Sequence, residues 1–170
     1  MDINTLLLEV AAVLLCATVL TGMSKEDLAA CEVAEVWCYL GWLATAVSAL
    51  ILKSPWQAIV VAAVLFVLFM LHLELPLWGD ADYVPIAMFV VYWGRFYNTI
   101  FLWMLPLLAL LLVIVPYAKW WGKRSGKGWK FGAMQMVPAL PIYLLSWCTS
   151  SGVYIAMSCL APEIMEVFYV

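Results

Sequence analysis

Three aspartates stand beside strongly apolar runs: Asp27 in "SKEDLAACEVAE", and Asp80 and Asp82 in "LPLWGDADYVPIAMFVVYW". Carboxylates so placed are costly unless they lie at an interface, in a wet cavity or beside partners. Two carboxylates held close cannot both ionise easily, so one keeps a proton while the other stays charged. The charged member can take a proton from water as it attacks a peptide carbonyl, and the protonated member can polarise that carbonyl. This is aspartic-protease chemistry, and it uses neither a metal nor a nucleophilic side chain. Plainer roles are open at the same positions. Ser24 with Asp27 fits the S-x-x-[DE] capping box that starts a helix, and Asp80 and Asp82 follow Gly79 as turn residues do.

Other chemistries find little in the chain. Its five cysteines (Cys16, Cys31, Cys38, Cys148, Cys159) are odd in number and form no C-x-x-C pair, so neither a structural zinc site nor a disulfide framework is expected. The single histidine, His72, reads as a packed or interfacial residue rather than a metal ligand. No cofactor is expected.

The elements that must position the aspartates are membrane spans. Hydrophobic residues make up 68% of the 170 residues and charged ones 11%, against about 45–50% and about 25% in soluble domains. The expectation is an all-α, polytopic membrane helix bundle forming one domain over residues 1–170. A span needs about 20 apolar residues, and the runs 4–22, 36–52 and 56–74 qualify or nearly so. An acidic "MDIN" precedes the first run, with no basic n-region, so that run reads as a span rather than a cleaved signal. The stretch 83–117 is too long for one span and carries Arg95 and Asn98 in "GRFYNT". Divided there, it gives spans four and five, the fourth short at about 15 residues. A sixth is expected over about 132–158.

Charge placement orients this bundle. Lys119, Lys123, Arg124, Lys127 and Lys130 crowd into "KWWGKRSGKGWK", a loop that the positive-inside rule places in the cytoplasm. With six spans, the "SKEDLAACEVAE" and "WGDAD" loops share that side, so Asp27 and Asp82 lie at one depth. Were 83–117 a single span, the basic loop would fall opposite "WGDAD", and the charge rule is met by either arrangement. The loop's tryptophans (Trp120, Trp121, Trp129) fit an interfacial belt. Its cations suit anionic headgroups at roughly 1 kcal/mol each, whereas nucleic acid is not an expected partner.

The residues around the aspartates carry a resemblance. "GDAD" within "LPLWGDADYVPIAMF" resembles the G-x-G-D or G-x-hydrophobic-D motif of the GxGD membrane aspartyl proteases, and the G-G-A-D form of archaeal preflagellin and prepilin peptidases. Gly79, Ala81 and Asp82 match, with Asp80 in the variable position. "DLAACEVAEVW" is similar to the family's D-L-x-x-R-x-V-P around the first aspartate, keeping Asp27, Leu28 and Val33. It departs at Cys31 and Ala34, where arginine and proline are expected, and Val84 stands where a lysine often follows the second aspartate. Late in the chain Pro138, Ala139, Leu140 and Pro141 resemble the P-A-L-P motif near the active site of presenilin-type relatives; a proline-marked helix start would look the same. The Y-D motif of the presenilin branch is missing ahead of "GDAD", and so is the cysteine-rich insertion of many bacterial members.

The resemblance implies a multi-pass cell-membrane endopeptidase with Asp27 and Asp82 as catalytic pair, facing the cytoplasm. Its implied substrates are pilin- or flagellin-like precursors, cut between a short basic leader and the apolar helix. Glu26, Glu32 and Glu35, with Asp80, form an acidic rim that would attract such a leader, or else an ordinary solvated loop. The rival reading is a small polytopic transporter or membrane scaffold with interfacial carboxylates; no inverted repeat favours a transporter. The sequence leaves the oligomeric state open.

Overall fold

The computed structural model describes residues 3–30, 32–71, 80–96, 100–124 and 138–160. Among these residues every regular element is a helix. In order come α1 (Ile3–Ala30), α2 (Glu35–Ile51), α3 (Trp56–Met70), a 3-10 turn (Asp80–Asp82), α4 (Tyr83–Trp93), a second 3-10 turn (Gly94–Phe96), α5 (Ile100–Arg124) and α6 (Leu140–Leu160). By length and hydropathy α1, the Met104–Arg124 part of α5, and α6 can cross a membrane, while α2 and α3 are shorter apolar helices. The helical break expected at "GRFYNT" is present, since α4 gives way to a 3-10 turn at Gly94 and α5 begins at Ile100.

Three expected boundaries are corrected. The first helix does not stop at residue 22 but continues through "SKEDLAA" to Ala30. Ser24 and Asp27 therefore sit inside a helix, and no capping box starts one there. The fifth helix likewise runs to Arg124, so Lys119, Trp120, Trp121, Lys123 and Arg124 are helical rather than loop. In both cases polar residues mark where a helix leaves the apolar layer, not where it ends. The sixth helix starts at Leu140; residues 132–137 lie outside the described residues, as do His72, Cys31, Lys127, Trp129 and Lys130.

In a chain apolar on nearly every side, the inward faces are distinguished by small and polar residues. On α1 the buried residues Glu9, Ala12, Cys16, Val19, Leu20, Met23, Ser24 and Asp27 recur at three- and four-residue spacing, which is one stripe of a helix. Leu7, Leu14 and Leu15 on its other side are exposed, as are Val60 and Val64 of α3 and Leu111 and Leu112 of α5. The most enclosed helix is α4, whose Tyr83, Val84, Pro85, Ala87, Met88, Val91, Tyr92 and Trp93 are all buried. It lies between α2 and α3, while α1 lies between α2 and α6, and α6 between α1 and α5. Aromatic rings join α4 to α6, with Phe89 and Tyr92 each 5.2 Å from Trp147.

The α2–α3 corner is tight. Lys53 takes a left-handed φ of 51°, and the N–H groups of Lys53 and Ser54 return to the carbonyls of Leu50 and Ala49, closing the helix end in the manner of a Schellman turn. Ser54 Oγ then donates to the carbonyl of Val91 at 2.9 Å, fixing this corner to the end of α4.

Close approach of α2 and α4 depends on Gly41, where an added Cβ would collide with the Val84 side chain. Small residues at such crossings let helices meet backbone to backbone. Gly41→Ala is expected to destabilise the protein by about 1–3 kcal/mol through overpacking, seen as a lower unfolding midpoint in detergent. Gly152→Ala, where no atom lies within 4 Å of the added Cβ, should leave the midpoint unchanged or raise it.

Candidate active site

Asp27 is near the last turn of α1 and only 8% exposed. Its Oδ2 accepts the backbone N–H of Leu140 at 2.9 Å, and its carboxylate also takes the N–H of Ala139. These donors belong to the P-A-L-P segment: Pro138 and Ala139 precede α6, and Leu140 and Pro141 open it. The first N–H groups of a helix have no partners within it, and the dipole favours a negative charge beside them. Proline is tolerated there because its missing N–H would be unpaired anyway. Asp27 thus closes the start of α6 across 113 residues of sequence, and α6 in turn fixes the orientation of the carboxylate.

Asp82 ends the 3-10 turn at the start of α4 and lies close enough to Tyr143 for its charge to act on the phenol. Tyr143 is one turn beyond Leu140. Of the two aspartates, 55 residues apart in the chain, Asp27 therefore binds the first turn of α6 directly, and Asp82 lies within electrostatic reach of Tyr143 on the same helix. Tyr143 itself was not singled out by its sequence context, and no local motif marks it. Ser24 is a second addition: it is one turn before Asp27 on the same stripe, buried, and its Oγ hydrogen-bonds to no described group.

The remaining site candidates are distributed unevenly. Ala81 is half-buried in the 3-10 turn with Asp80 and Asp82; Gly79 and the Asp80 side chain lie outside the described residues. Glu26 is not a free rim charge. Its two oxygens accept the N–H of Ala34 at 2.7 Å and the indole N–H of Trp37 at 2.9 Å, so it ties α1 to the start of α2. Gly22 makes room for the Trp37 ring in that contact. Glu32 and Glu35 are exposed at the same end. A surface groove of about 460 Å³ runs there along Thr18, Thr21, Gly22, Lys25, Glu26 and Trp37, on a side of α1 away from the Asp27 stripe. Among the described residues no group of three His, Cys, Asp or Glu side chains could hold a metal ion.

At the other end of the bundle is a site that sequence reading missed. Glu9, the one charge of the first apolar run, meets Arg95 of the "GRF" turn at 2.9 Å. The Arg95 guanidinium stacks over Tyr92 at 4.4 Å, Phe96 at 4.6 Å and Tyr154 at 5.6 Å. The clue available was that each charge interrupts an apolar run, where an ionisable residue is expected to have a partner; nothing local pairs residues 86 positions apart.

Comparison with protein-family models, with curated proteins and with solved structures finds no match for this chain. A functional reading therefore rests on the motif residues and their placement.

Proposed function

We propose that this chain is a membrane aspartic endopeptidase, with six helices crossing the cell membrane and Asp27 and Asp82 at the cytoplasmic face. Its substrates are pilin- or flagellin-like precursors, cut between a basic leader and an apolar helix. The observation that carries the reading is that the P-A-L-P backbone at the start of α6 holds Asp27, while Asp82 lies within electrostatic reach of Tyr143 on that same helix. In the reaction one carboxylate removes a proton from a water molecule as the water oxygen bonds to the scissile carbonyl carbon. The other, protonated, donates to the carbonyl oxygen. When the C–N bond breaks, the leaving nitrogen takes a proton from the pair and the new carboxyl group departs. Glu32 and Glu35, exposed where the chain passes from α1 to α2, are the rim charges left to attract a Lys- or Arg-bearing leader.

The test is cleavage by the purified protein, reconstituted in liposomes, of a panel of leader-bearing precursors. The expected product begins at the first residue of the precursor's apolar helix, as read by mass spectrometry. A folded protein that leaves the whole panel intact would refute the reading. The buried Glu9–Arg95 pair favours a second one, a small transporter, because paired charges inside a bundle also serve ion paths. Proton uptake by liposomes in the absence of any precursor would select it.

Helix direction supports the topology. The end of α1 meets the start of α6, and Asp82 at the start of α4 lies within electrostatic reach of Tyr143 near that same start. Glu9, Arg95 and Ser54 lie instead toward the opposite ends of α1 and α4, as helices alternating in direction require. Cysteines introduced at Glu32 and Lys123 should label from the same, cytoplasmic, side of intact cells. Labelling from opposite sides would exclude six crossings.

A further inference from the structure

We infer that Glu9 and Arg95 are positioning residues that set the spacing of Asp27 and Asp82 from the far end of the bundle; the catalytic part of this inference rests on the endopeptidase reading above. The same three helices meet at both ends. At one, Asp27 of α1 binds the first turn of α6, and Asp82 at the start of α4 lies within electrostatic reach of Tyr143 of α6. At the other, Glu9 of α1 binds Arg95 just past α4, and Arg95 lies over Tyr154 of α6.

Glu9 and Asp27 are 18 residues apart on one buried stripe, five turns at 3.6 residues each. They point the same way, so a shift of α1 along its axis or about it moves both. α4 is a short helix of 11 residues, with Asp82 directly before it and Arg95 two residues past its end. Extensive contact holds α1 against α2 and α6, and α4 against α2 and α3, but α1 and α4 have no comparable shared face. The 2.9 Å ion pair is a direct polar tie between them. Its surroundings make that tie specific: the Arg95 and Glu9 side chains are 13% and 4% exposed, and the planar guanidinium is held between rings of two helices. Apolar contacts in lipid tolerate sliding, whereas a buried ion pair has one register at which both charges are met. Fixing register is the best-attested use of such pairs.

The test separates register from stability. Spin labels at Lys25→Cys and Ala81→Cys, with native cysteines replaced by alanine, report the distance between the end of α1 and the start of α4. In the Glu9→Met/Arg95→Met double variant the charges are gone and packing volume is kept. We expect a broadened distance distribution and a kcat at least about tenfold lower with KM nearly unchanged, because sub-ångström to ångström misplacement of catalytic groups acts on turnover. Glu9→Gln, which keeps the shape and loses only the charge, should show a smaller broadening and a kcat lower by about threefold. Wild-type distributions in both variants would overturn the inference. Should wild type cleave no precursor, the endopeptidase reading fails while the distance measurement still decides whether the pair sets the register.

Discussion

Asp27→Asn and Asp82→Asn are each expected to abolish precursor cleavage while leaving membrane insertion intact. The change removes the exchangeable proton and little else. In Asp27→Asn the side-chain amide keeps an oxygen that can accept the N–H groups of Ala139 and Leu140, which Asp27 accepts now, so the start of α6 remains closed. A cap exchanged for asparagine costs no more than about 1 kcal/mol, since asparagine and aspartate rank together at such positions. Loss of activity with an unchanged unfolding midpoint is thus the result that assigns chemistry to Asp27 rather than architecture. Asp27→Ala should lose both, because it leaves those N–H groups unpaired. Asp80→Asn should retain most activity, as Asp80 occupies the variable place of the motif. Near-normal turnover by either Asp27→Asn or Asp82→Asn would exclude the two-aspartate mechanism.

The second large effect concerns stability. Arg95→Met strands the Glu9 carboxylate, 4% exposed, without its partner inside the bundle, and removing one member of a buried pair typically costs about 3–5 kcal/mol. Replacing both by methionine removes the unpaired charge and restores apolar volume, an exchange that is often neutral or stabilising. A double-mutant cycle in detergent unfolding should therefore be strongly non-additive, with coupling of at least about 2 kcal/mol. Additive single effects would mean that the two charges do not depend on one another.

How much of this was legible in the sequence follows from the range of each interaction. Runs of apolar residues have local consequences, so the helices and the break at Gly94 could be read directly. The ends of α1 and α5 could not, because hydropathy reports where lipid stops while backbone hydrogen bonding continues into "SKEDLAA" and "KWWGKR". Likewise the S-x-x-D pattern at Ser24 is satisfied equally by a helix start and by one turn of a helix interior. The motif drew attention to Asp27 and Asp82, but the N–H groups that hold Asp27 and the Tyr143 phenol within electrostatic reach of Asp82 come from a segment more than 50 residues further on. Glu26 shows the limit of charge counting. It reads as one of a cluster of rim acids, yet its carboxylate is taken up by Ala34 and Trp37.

The length of α1 has a consequence for the proposed reaction. Its 28 residues rise about 42 Å at ~1.5 Å per residue, well beyond a hydrocarbon layer of about 30 Å. Even with a tilt, the last turns that carry Ser24 and Asp27 reach the level of the headgroups. Hydrolysis at that height draws its water from the hydrated lipid surface, and no conduit through the bundle is required. The bond to be cut is then chosen largely by altitude. A precursor anchored by its own apolar helix presents to the aspartates whichever peptide bond emerges at their level, so the membrane serves as a ruler. Lengthening that helix by one turn at its leader-proximal end should move the cut by about the same number of residues, whatever side chains flank it.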